Sequence, residues 1–109
     1  MVKELILGDA TLKLRFKVGI LKHIKEISGK DPIDFISESQ NNVFEFTSVV
    51  VNAGVRCQCD NSGSEYPDRD KVDKLISANM EMAGATEVIG WLVKDFFGGG
   101  EPEAQVAAE

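Results

Sequence analysis

The stretch Asn42–Arg56, NVFEFTSVVVNAGVR, constrains this chain more than any other. Its apolar side chains at Val43, Phe44, Phe46, Val49, Val50, Val51, Ala53 and Val55 fall on every side of a helical projection. A helix that is apolar all round has to be buried among other elements. The β-branched run Val49-Val50-Val51 would also suit a buried strand, because periodicity alone does not separate the two. Length and a start signal decide for the helix. Asn42 and Glu45 have the spacing of a capping box, with Asn42 taking the Glu45 amide and Glu45 reaching back. The rest of the chain is therefore expected to serve as cover for one central helix.

At 109 residues the chain amounts to a single domain, which buries roughly two thirds of its unfolded surface. Hydrophobic content of 43% and charged content of 28% are ordinary for a globular chain. A net charge of −6 and a pI near 4.8 weigh against a nucleic-acid partner, for which basic residues supply most of the affinity. No apolar run reaches the ~20 residues of a membrane span. The opening MVKELILGDATLK has too short an apolar run and too early an acid for a secretory signal. The expectation is a cytoplasmic chain with neither nucleic acid nor membrane as partner.

Taken in order, Lys3 to Leu7 and Thr11 to Phe16 flank Gly8-Asp9-Ala10. Leu12, Leu14 and Phe16 alternate with Lys13, Arg15 and Lys17, the period of a strand with one dry face. A hairpin follows, and its apolar face needs helices to cover it. From Val18 to Ser28 the period becomes helical, through Ile20, Leu21, Ile24 and Ile27, with Gly29 as the stop. Asp31 and Pro32 open a short second helix carrying Ile33, Phe35 and Ile36. After the central helix, CQCDNSGSEYPDRD has the composition of a loop. Asp68 to Met80 predicts another helix, with Val72, Leu75 and Ile76 on one face and acids at its start. Gly84 interrupts, and Ala85 to Phe97 predicts the last helix. The fold class is thus α+β: a mostly helical single domain over residues 1–97 with an N-terminal β-hairpin and five helices. Residues 98–109 are expected to form a flexible acidic C-terminal tail.

Few residues are placed to carry chemistry. Cys57 and Cys59, one residue apart, are expected to be free thiols, since so tight a loop strains a disulfide. Together with His23 they fall short of the four ligands of a tetrahedral metal site. The run from Gln58 to Gly63 places the wrong residues at the positions of a calcium loop. His23 has Ser28 nearby in sequence as a candidate nucleophile, but between Lys22 and Lys25 it is expected at the surface and not as a general base. The expectation is no enzyme, no cofactor and no metal. Phe96 and Phe97 are adjacent and cannot share one face of a helix, which leaves at least one exposed for a partner.

The hairpin ending in LKLRF and the following VGILKHIKEISGKDP resemble the opening of the small phage tail assembly chaperones of siphophages. The apolar helix Val43 to Val55 and the closing DRDKVDKLISANMEMAGATEVIGWLVKDFF continue the likeness, which covers roughly residues 3 to 97. The resemblance implies a non-catalytic protein that binds and solubilises the tape measure protein. It also implies help in recruiting tail tube subunits, action in the host cytoplasm, and absence from the finished virion. In that setting Phe96 and Phe97 would contact the tape measure protein or serve self-association into a homo-oligomer. A different reading is a structural tail or head–tail connector component, a class built largely from β-structure or assembling loops.

Overall fold

A computed structural model describes residues 2–38 and 42–96, without the side chains of residues 95 and 96. The expected tail over 98–109, and Phe97 before it, lie outside the described residues. Strands β1 (Val2–Leu7) and β2 (Ala10–Arg15) pair antiparallel with Leu7 opposite Ala10, leaving Gly8-Asp9 as a two-residue turn. Alternation sends Leu5, Leu7 and Leu14 into the core, with Phe16 just beyond the strand, and turns Ile6 out to 70% exposure. Five α-helices follow: α1 (Gly19–Ser28), α2 (Pro32–Ser37), α3 (Val43–Ser62), α4 (Arg69–Asn79) and α5 (Met82–Trp91). A π-helical turn, Leu92–Phe96, closes the described chain. The expected α+β class, one hairpin followed by five helices, is the observed architecture.

Helix α3 is the axis. Val49, Val50, Val51 and Ala53 are fully buried, and β2, α1, α4 and α5 all pack against it. Asn42 caps it as the spacing predicts, its side-chain oxygen accepting the Glu45 amide at 2.9 Å. The carboxylate of Glu45 turns to Arg69 of α4, 3.4 Å away. At α2, Asp31 caps in the same way, accepting from the amides of Ile33 and Asp34.

Three expectations need correction. Helix α3 does not end near Arg56: it runs through the supposed loop sequence CQCDNS and stops at Gly63, whose φ of 75° is left-handed. Burial outweighs weak local propensity there, since Cys57 and Cys59 both lie in the interior. The break before the last helix falls at Met80–Glu81, both extended, and Gly84 sits inside α5. A Cβ on Gly84 would stand 3.1 Å from Cγ of Met80, so glycine there leaves room for Met80 to fold over α5. His23 is buried, not on the surface.

The hairpin meets α3 at one close approach. A Cβ on Gly54 would lie 3.0–3.1 Å from three side-chain carbons of Leu14, which is itself fully buried. Alanine would gain about 1 kcal/mol of helix propensity at that position. Overpacking a rigid core contact costs about 1–3 kcal/mol, which outweighs the gain. Gly54→Ala is therefore expected to lower the melting temperature by several degrees. In a Leu14→Ala background the same change is expected to raise it. Thermal melts of the four proteins decide, and stabilisation by Gly54→Ala in the wild-type background would contradict the contact.

Candidate binding groove

Two polar assemblies fix α3 against its neighbours, and an apolar groove opens beside them. The first assembly lies at the C-terminal end of α3. His23 on α1 is 1% exposed, and its Nε2 lies 2.7 Å from Oδ2 of Asp60 on α3. Its Nδ1 faces Oε1 of Glu26 at 3.2 Å. Tyr66, from the loop after α3, donates its hydroxyl to Oδ1 of Asp60 and stands edge-on to the imidazole at 5.5 Å. The guanidinium of Arg56 lies 5.2 Å from the centre of the Tyr66 ring. Both imidazole nitrogens thus face carboxylates, one on α1 and one on α3. His23 acts here as a staple between α1 and α3.

The cysteines of the sequence motif separate. On a helix, residues two apart point in widely different directions. Cys57 faces Gly19 of α1, whereas the thiol of Cys59 donates to the carbonyl of Glu65 at 3.4 Å. Burial, with a smaller contribution from the Asp60 charge, pushes the Cys59 thiol above its ordinary pKa. That shift disfavours the thiolate that nucleophilic or metal chemistry requires. Among the described residues no cluster of three or more His, Cys, Asp or Glu side chains could hold a metal ion.

The second assembly joins α3 to α4. Ser48 donates to Oδ1 of Asp73 at 2.6 Å, and Asn52, 2% exposed, donates to the same oxygen at 3.1 Å. Arg69 reaches Oγ of Ser48 at 3.2 Å and pairs with Asp73. These contacts hold the N-terminal part of α4 close to α3. Towards its C-terminus α4 leaves a gap that polar contacts do not close.

That gap is the groove. Val43, Phe44 and Thr47 of α3 line one side, Ile76, Ser77 and Met80 another, and Met82 and Ala85 of α5 the third. Its volume is about 410 Å³, and Phe44 and Met82 stand 48% and 67% exposed on it. A second groove of about 390 Å³ shares Met80 and Glu81 with the first. It runs on past Glu4, Ile6, Glu87 and Trp91. Trp91 is half-buried, packs against the core and forms part of this wall. Of the expected partner residues, Phe96 ends the π-helical turn, and its side chain and all of Phe97 lie outside the described residues. The groove had a signal in the sequence. Val43 and Phe44 open an all-apolar helix in its first turn, where less chain is available to cover them, and Met80 and Met82 straddle the α4–α5 break.

Comparison with protein-family models, with curated proteins and with solved structures finds no match to this chain.

The Asp60 carboxyl is held below the ordinary carboxylate range, first by the Tyr66 hydroxyl and then by His23. A lowered folded pKa gives stability that is present above the unfolded value, near 3.9, and lost as pH falls through the folded one. The same hydrogen bond raises the Tyr66 hydroxyl, and that contribution is lost as pH climbs beyond the ordinary tyrosine value near 10. Asp60→Asn is therefore expected to lower the melting temperature at pH 7 and to flatten its decline at both extremes. An unchanged profile from pH 2 to 11, scanned by melts, would remove the staple from the account.

Proposed function

We propose that this chain is a non-catalytic assembly chaperone of the phage tail type, which holds an apolar helical segment of a tape measure protein in the groove between α3, α4 and α5. One observation carries the reading: Phe44 and Met82 line an open apolar groove at the junction of three helices while remaining about half exposed or more. Large apolar side chains gathered on one face mark a surface for a partner. Helical walls around an apolar floor suit recognition of an amphipathic helix by anchors spaced three and four residues apart. Methionine adds adaptability, because its unbranched thioether conforms to varied partner side chains. The resemblance of the sequence to the tail assembly chaperones, over roughly residues 3 to 97, supports the same reading.

The test uses a tape measure segment and the variant Phe44→Ser. Because Phe44 is half exposed, the variant is expected to melt within a few degrees of the wild type. Its affinity for the segment is expected to fall at least about tenfold, the loss of a well-placed aromatic anchor. Wild-type affinity in a folded Phe44→Ser protein would move the binding surface elsewhere. Purified chains that assemble into rings or tubes in electron micrographs would favour the structural-component reading instead.

A further inference from the structure

The groove also carries information about the charge of its occupant. Its two halves meet at Met80 and Glu81, and their rim holds three acids: Glu4, Glu81 and Glu87. Among the described residues lining either half there is no Lys, Arg or His. The whole chain carries a net charge of −6, so the local field reinforces the rim. At the floor, Thr47 is 1% exposed and its Oγ1 finds no hydrogen-bond partner among the described residues. A buried hydroxyl without a partner is costly, and the fold leaves this one beside the groove.

We infer that the groove takes a basic amphipathic helix, with apolar anchors facing Phe44, Met80 and Met82, Lys or Arg side chains flanking them towards Glu4, Glu81 and Glu87, and one polar anchor opposite Thr47. The inference rests on the helix-in-groove reading above and adds the charge and the polar contact. A second copy of this acidic chain is a poor occupant, because its like charge opposes the rim. Ion pairs at a partly exposed rim steer and select more than they strengthen, so the expected signature is preference for one charge over the other.

The test uses the full chain and its single tryptophan, Trp91, which lines the second half of the groove. The probes are two synthetic helical peptides without Trp or Tyr. They share one apolar face with a central Gln, and one carries Lys on the opposite face where the other carries Glu. The basic peptide is expected to shift Trp91 emission saturably and to bind at least about tenfold tighter than its acidic twin at low salt, the gap closing as salt is added. Glu81→Gln with Glu87→Gln is expected to shrink the gap several-fold. Glu65→Gln with Asp70→Asn, the same loss of charge at positions that line neither half of the groove, is expected to leave it. Thr47→Val is expected to raise the melting temperature of the free chain and to weaken both peptides alike.

Equal affinity of the two peptides, or tighter binding of the acidic one, overturns the inference while leaving the helix-in-groove reading in place. So does silence of both peptides when a tape measure segment still binds. Equal effects of the two charge-neutralising pairs place the preference in the overall field and overturn the assignment to this rim. Failure of both the peptides and the tape measure segment removes the reading and the inference together.

Discussion

Helix α3 is stable in water because β2, α1, α4 and α5 pack against it and bury the run from Phe46 to Val55. Its three consecutive valines are each fully buried, and each contributes about 1.5–3 kcal/mol relative to exposure. That sum is comparable in size to the whole net stability of such a domain, about 5–15 kcal/mol, so the fold does not survive its loss. The covering elements differ in how closely they can approach. Gly54 lets Leu14 of the hairpin come within side-chain contact of the α3 backbone. The seam with α4 is instead made through Ser48, Asn52, Arg69 and Asp73, whose hydrogen bonds are directional and fix its register.

The groove follows from that difference. A polar seam holds α3 and α4 together where Ser48 and Asn52 meet Asp73, and one turn away the facing residues are Phe44, Thr47, Ile76 and Met80. The chain turns there through the extended pair Met80–Glu81 before α5 begins, and among the described residues no helix crosses the opening. The other end of α3 is closed differently, by Tyr66 and Asp60 gathered on the buried His23. One end of the central helix is stapled and the other presents apolar surface. This asymmetry is what a partner helix would use.

Much of this is legible in the sequence. The capping pair Asn42 and Glu45 marks the start of α3, and period-two alternation in Leu12, Leu14 and Phe16 marks β2. Each feature is local, and each is honoured because burial agrees with it. The errors arise where tertiary contacts override local composition. Asp60, Asn61 and Ser62 look like loop residues, yet Asp60 is needed on a helix to reach His23. His23 looks like a surface residue because its neighbours Lys22 and Lys25 are charged, but its own direction is set by the Ile20–Ile24 face that packs on α3. The groove was hardest to see, because Phe44 comes from α3 and Met82 from α5, and only the fold brings them together. The acidic rim is of the same kind: Glu4, Glu81 and Glu87 come from β1, the α4–α5 connection and α5.

The central claim is that a helical partner sits between α3, α4 and α5. Methyl NMR on the methionines tests it most directly, because Met80 and Met82 lie in the groove wall and report on it without any mutation. With a tape measure segment added to saturation, the account predicts that the methyl resonances of both Met80 and Met82 move. They should also show nuclear Overhauser contacts to apolar protons of the bound segment. A saturated complex in which both resonances stay where they are in the free chain would contradict it.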